Sequence, residues 1–236
     1  MKLSALDEVL TSVKAKRSVV LATNLVSGEQ RVLGRGGGSG DGERRYVAEA
    51  LQFDRPVTTV SSDGPRWFYQ PFNPPLRMMV VGAVHIAQPL SVMATLAGYE
   101  VTIIDPRAAF ANEERFPGIA LNLAWPDEAL ESLQLDARTA VITLTHDPKL
   151  DDPALVAALR SRAFFIGCLG SKKTHATRRQ RLAEAGFSAV ELDRMHGPVG
   201  LPIGSRSPAE IAVSILAQVT ETLRSTIHLF NDDRTP

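Results

Sequence analysis

The chain has almost no cysteine, no net charge and no long apolar run, and each shortage removes a class of protein. Its single cysteine, Cys168, rules out an intrachain disulfide framework and a cysteine-based zinc cluster. It fits a reducing compartment, and the cytoplasm is the expected location. Lys plus Arg and Asp plus Glu both number 26, so no overall field draws the chain to nucleic acid or to an anionic membrane. No apolar stretch approaches the length of a membrane span. The opening "MKLSALDEVLTSVKAKRS" spaces Leu3, Leu6, Val9, Leu10 and Val13 as an amphipathic helix rather than a signal peptide. What remains is a soluble chain of 236 residues, 44% hydrophobic, enough for one main core and a smaller attachment.

Some signatures are also missing. "GRGGGSGDG", Gly34 to Gly42, holds six glycines in nine residues but lacks the Lys-Ser/Thr pair of a phosphate loop, and it reads as a flexible connection. No Tyr-x-x-x-Lys pair offers a proton donor for a dehydrogenase.

Along the chain, "SVVLATNL" and "QRVL" read as a hairpin turning at Ser27-Gly28. "ERRYVAEALQF" reads as a short helix, and "PVTTV" with "RWFYQ" as strands around the turn "SSDGP". Three prolines in "PFNPP", Pro71 to Pro75, are incompatible with a helix and poor for a central strand. They mark a boundary between a small α+β region, 1–74, and a second domain, 75–236. From Arg77 the rhythm becomes strand, helix, strand. "RMMVVGA", "VTIID", "TAVITLT" and "AFFIGCL" are continuous apolar runs, the pattern of parallel strands buried on both faces. Asp152-Pro153 reads as a helix start before "ALVAALR", and Ser207-Pro208-Ala209-Glu210 as a capping box. The expected fold is α/β: a Rossmann-like, doubly wound parallel sheet with a small N-terminal α+β domain.

Ligands of such sheets sit outside the carboxyl ends of the strands. The first strand ends in Gly82, Ala83, Val84 and His85. Against the dinucleotide pattern G-x-G-x-x-G/A, Gly82 and Ala87 fit, while Val84 stands where the second glycine would permit the closest backbone approach. Asp105, 23 positions after Gly82, can accept ribose hydroxyls, and Arg107 can meet a phosphate; alternatively Asp105 caps a turn and Arg107 is solvated. Thr145, His146 and Asp147 end the third run and can orient one another or a polar ligand, though Asp147-Pro148 is also an ordinary turn. Gly170, Ser171 and Lys172 lie between the fourth strand and a helix, a layout suited to an anion. Cys168 reads as a buried small residue, with no neighbour to activate it as a nucleophile.

Together, "VVGAVHIAQPL", "VTIIDPRAAFANEERFP", "WPDEAL", "VITLTHDPKLDDPAL", "FFIGCLGSKKTHATRRQRL" and "GPVGLPIGSRSPAEIAVSILAQV" resemble the C-terminal Rossmann domain of the XdhC/CoxI family over Pro75 to about Thr220. The resemblance implies an accessory chaperone for molybdenum hydroxylases of the xanthine dehydrogenase or CO dehydrogenase type. Such a protein binds molybdenum cofactor, as molybdopterin or its dinucleotide form, and assists its sulfuration and insertion. It implies a cysteine desulfurase and the hydroxylase apo-enzyme as partners, a homodimer, and Gly200 in "GPVGLP" as a further binding residue. The upstream third has no cysteine to offer molybdenum, and Val84, Cys168 and Pro202 stand where the family commonly has glycine, alanine and an acid. An NAD(P)-dependent oxidoreductase and a nucleotide-sensing partner of the maturation machinery are the alternatives.

Overall fold

A computed structural model describes residues 2–59 and 66–225; the turn "SSDGP" lies outside them. The described residues form two compact units, one of those up to Pro74 together with Arg224 and Ser225, the other Pro75–Leu223.

The first unit begins with α1 (Leu3–Lys14), the helix its leucine and valine spacing dictates. β1 (Val19–Asn24), β2 (Gln30–Gly34), β3 (Val57–Thr58) and β4 (Trp67–Phe72) make an antiparallel sheet in the order β2-β1-β4-β3. α2 (Asp41–Phe53) covers it, placing Val47, Ala50 and Leu51 against Val20, Ala22 and Tyr69. β4 runs on through Pro71 to Phe72, further than "RWFYQ" suggests. The sheet tolerates the proline because β3 pairs only Phe68 and Tyr69, so that among the described residues one side of β4 has no partner strand at Pro71.

The second unit is a six-stranded parallel sheet. In chain order it comprises β5 (Leu76–Val81), α3 (Ala87–Leu96), β6 (Tyr99–Ile104), β7 (Ala120–Asn122), α4 (Pro126–Ser132) and β8 (Thr139–Thr143). There follow α5 (Pro148–Arg160), β9 (Phe165–Cys168), α6 (Lys172–Glu184), α7 (Ala189–Leu192), β10 (Met195–His196) and α8 (Pro208–Ser225). The strand order is β10-β9-β8-β5-β6-β7, all pairs parallel. The Rossmann-like α/β fold expected from the apolar runs is therefore present. The runs reach no further than four strands; β7 and β10, three and two residues long, are too short to show as runs.

Continuous hydrophobicity is explained by two cores. All six residues of β5 are buried. Met78 and Val80 pack on one face with Leu90 of α3 and Ile215 of α8, whereas Met79 and Val81 pack on the other with Leu155 of α5 and Leu182 of α6. A fully buried side chain of this size contributes about 1.5–3 kcal/mol, so a strand used on both faces gains from every residue of its apolar run.

α5 starts five residues earlier than Asp152-Pro153 suggests. Asp147 is the N-cap, its side chain accepting the Lys149 N–H, and Pro148 takes the first helical position. Pro153 lies inside the helix, where it removes the bond to the Lys149 carbonyl without ending the helix. The early start turns Asp151 inward, to 1% exposure, and that matters for the site. The capping box at Ser207 is present: the Ser207 amide donates to Glu210, and the Glu210 amide to Ser207 Oγ.

Candidate functional site

The chain progresses outward from β5 in both directions, β6 on one side and β8 on the other, so the topological switch point falls between β5 and β8. Gly82 ends β5 there, at φ +106°. Its amide donates to the Ile104 carbonyl at 2.8 Å. A Cβ at this position would meet Thr145 Cγ2 at 2.5 Å. The two strand exits are thus pressed together with glycine as the spacer, and Gly82 and Thr145 form one structure.

The turn that follows is held from both sides. The Ala83 amide donates to Asp105 at 2.9 Å. The Ala83 carbonyl accepts from Arg115 at 2.8 Å, and the same guanidinium nitrogen reaches the Phe110 carbonyl. Arg115 carries no motif in the sequence; it works through a carbonyl, which no pattern of side chains records. Val84 is half-buried and His85 exposed. α3 then begins at Ala87 with Ile86 as N-cap, and no side chain caps it and no acid lies in its first turn.

Asp105 is fully buried. Both of its oxygens accept from Arg107, Nε and Nη2 each at 2.8 Å, and its Oδ1 also accepts the Arg107 amide. Burial pushes the carboxyl up, but the bonds from Arg107 and Ala83 outweigh burial and hold it below its usual range. Arg107 is itself half-exposed and lies over the Phe110 ring. Asp105 thus braces the end of β6 to the turn after β5. A ribose would have to displace Arg107 to reach it.

At the end of β8, Thr145 Oγ1 donates to Asp151 at 2.6 Å and accepts the Asp147 amide at 3.0 Å. His146 between them has φ +62°. Asp147 is occupied as the α5 cap; the bond to Asp105 raises the pKa of Arg107 most, burial opposes it, and the Asp147 charge adds a smaller upward push. Burial pushes the Asp151 carboxyl up, against the opposing pull of Thr145 and Arg178.

At the end of β9, Ser171 caps α6 by accepting the Thr174 amide, and Gly170 packs against the Thr174 side chain. Lys172 is exposed. Gly200 is engaged with α8: its amide donates to Gln218 at 2.7 Å, and a Cβ would strike Ser214 Oγ of α8 at 2.4 Å. It seats the loop after β10 on α8. Cys168 is fully buried, and burial pushes its thiol up to about 12. A disulfide-exchange reagent should leave it unmodified for hours in native protein and titrate it within seconds in denaturant; fast labelling of folded protein would contradict its burial.

The sequence-derived groups of β5, β6 and β8 are joined by contacts; Asp151, Arg178 and Arg115 join them unannounced. Arg178 is 2% exposed and its Nη2 donates to Asp151 and to the Leu169 carbonyl, at 3.3 and 3.2 Å. In "THATRRQRL" nothing distinguishes it from its solvated neighbours. Among the described residues, no group of three or more His, Cys, Asp or Glu side chains is arranged to hold a metal ion. None of the described helices is long and apolar enough to cross a membrane.

These features define a doubly wound α/β protein with a glycine turn and an uncapped helix at its switch point. More specifically, residues 78–219 match the XdhC Rossmann domain, more than half of the chain, and the chain belongs to that family. It is 35% identical over 148 residues to the molybdenum cofactor insertion chaperone PaoD of Escherichia coli, a stretch covering 63% of this chain and 40% of that protein. It is 31% identical over 156 residues to a Bacillus subtilis protein named as a probable xanthine dehydrogenase subunit, covering 66% of this chain and 45% of that one. The chain thus spans less than half the length of these relatives. A crystal structure described as a xanthine dehydrogenase from Bacillus halodurans has the same fold, with a TM-score of 0.68 at 23% identity over 99% of this chain and 71% of the other.

Proposed function

We propose that this protein is an accessory factor that holds molybdenum cofactor as cargo and hands it to an apo-hydroxylase of the xanthine dehydrogenase type. One observation carries the reading: in a chain of the XdhC family, the helix at the switch point starts without a capping side chain directly after the Gly82 turn. The helices after β8 and β9 are both capped, by Asp147 and Ser171. The positive end of the α3 dipole, with no acid in the first turn, suits a phosphate or pyrophosphate, which molybdopterin and its dinucleotide form both carry. Gly82, Ala83, Val84 and His85 would line that seat, with Arg115 on the Ala83 carbonyl and Arg107 on Asp105 as its neighbouring cations. The relatives' names supply the rest of the proposal. One is a cofactor insertion chaperone, and the other is named for xanthine dehydrogenase.

Insertion also calls for sulfuration, and a cysteine desulfurase would be the sulfur donor in that step. The protein would act in the cytoplasm as a homodimer. Against the oxidoreductase alternative stands the Arg107 fork, which occupies both oxygens of the acid that an NAD(P) ribose would need.

In reconstitution, the protein should retain cofactor released from a denatured hydroxylase and raise the activity of the apo-enzyme severalfold over cofactor alone. NADH and NADPH should be neither oxidised nor retained. Nicotinamide turnover without any gain in reconstitution would replace the chaperone reading with the oxidoreductase one.

A further inference from the structure

A pocket of about 250 Å³ opens between the first turns of α5 and α6 and shares His146 with the β8 exit. Lys173, Thr174, Thr177, Arg178 and Arg181 line it from α6, and His146, Pro148 and Asp151 from the α5 side. The spacing of the α6 residues places them along one face of the helix. Neither the Gly82 turn nor Ser171 and Lys172 contribute to it.

The charge there is unbalanced. Three cations face a single lining carboxylate, Asp151. Arg181 has a second acid to itself, Asp152, bound through Nε and Nη2 at 2.6 and 2.9 Å. Arg178 does not. Its Nη2 serves Asp151 and Leu169, while its buried Nε and Nη1 have no hydrogen-bond partner. A buried guanidinium with open donors is costly, and α6, which has no acid in its first turn, adds the positive end of its dipole. Open N–H groups on a buried guanidinium are charge-assisted donors suited to the oxygens of an oxyanion. The volume lies below that of pockets for larger organic ligands, roughly 300–1,000 Å³, which selects a group rather than a whole cofactor.

We propose that this pocket, with Arg178 at its floor and Lys173 at its mouth, binds a phosphoryl dianion, either free phosphate or the terminal group of a phosphomonoester. The proposal goes beyond the cofactor reading and does not depend on it. Inorganic phosphate alone tests the pocket, so a failed reconstitution leaves it standing, and a failure to bind phosphate leaves the Gly82 turn standing.

The test is calorimetric titration of the full chain with inorganic phosphate at low ionic strength, with acetate as comparator. Phosphate should bind saturably and at least tenfold more tightly than acetate, which carries one charge fewer and no tetrahedral set of oxygens. Lys173→Gln, at an exposed position that does not threaten the fold, should weaken phosphate severalfold. Asp151→Asn removes the carboxylate facing the anion and should tighten it severalfold, a gain that a merely structural residue would not produce. Arg178→Gln should abolish binding if it folds; the other two variants decide the matter if it does not. Absence of saturable binding, equal binding of acetate, or affinity unchanged in both Lys173→Gln and Asp151→Asn would overturn the proposal. Competition by released molybdopterin, lost after its phosphate is removed with a phosphatase, would identify the phosphomonoester as the source; no competition would identify free phosphate.

Discussion

Gly82→Ala should lower the stability of the parallel-sheet unit by about 2–5 kcal/mol, a large effect for one methyl group. Two costs combine. At φ +106° an L side chain is strained by roughly 1–2 kcal/mol, and the new Cβ would lie 2.5 Å from Thr145 Cγ2, an overpacking that costs about 1–3 kcal/mol. The neighbour has nowhere to go. Rotating Thr145 would break its 2.6 Å bond to Asp151 and its bond from the Asp147 amide, so relief of the clash would loosen the start of α5. The double variant Gly82→Ala/Thr145→Ser separates the costs: serine keeps the hydroxyl and lacks the offending methyl, so only the packing part should return. Denaturant unfolding checks both, with the midpoint for Gly82→Ala falling clearly and the double variant recovering part of it. An unchanged midpoint for Gly82→Ala would mean that the strand exits are not in contact.

The strand ends are legible in the sequence because they obey simple geometry. Parallel strands buried on both faces must be apolar throughout, so "RMMVVGA" and "TAVITLT" stand out, and whatever breaks each run marks a carboxyl end. Gly82, Thr145 and Ser171 are found in that way. What the side chains do at those ends is less legible. Asp105 lies at the distance from Gly82 that an NAD-type fold uses for a ribose, and sequence spacing cannot tell an acid that faces the crevice from one that braces the turn. The answer depends on Arg107, two residues away, folding back onto it. Asp151 and Arg178 are hidden for a related reason. "LDDPAL" holds two candidate acids, and only the true start of α5, fixed by the Asp147 cap, turns one inward. Arg178 lies on a helix so polar that it has no apolar stripe to break. Buried ion pairs also sit at the other end of the sheet, where Arg77 meets Asp136 at 3.1 Å; they too look like surface charges until the fold closes around them.

Asp105→Ala should cost the parallel-sheet unit about 2–4 kcal/mol. It leaves the buried Ala83 amide without its acceptor, worth roughly 1–3 kcal/mol, and removes charge-assisted bonds of about 1.5–3 kcal/mol. Arg107 recovers part of that because its half-exposed side chain can turn to water. The pH dependence has a definite sign. The folded carboxyl titrates below its ordinary value, so the stabilisation is fully present above the unfolded carboxyl pKa of about 3.9 and is lost as pH falls through the folded value. Wild type and Asp105→Ala should therefore differ most near neutrality and converge in acid. Asp105→Asn separates brace from binder. As a brace, Asp105 acts on ligands only through the turn, so Asn, which can still accept from Ala83, should weaken molybdopterin and its dinucleotide form alike. As a ribose ligand, it should weaken the dinucleotide form alone. Stability unaffected by Asp105→Ala, together with loss confined to the dinucleotide, would return Asp105 to the ribose and place Arg107 elsewhere when cofactor is bound.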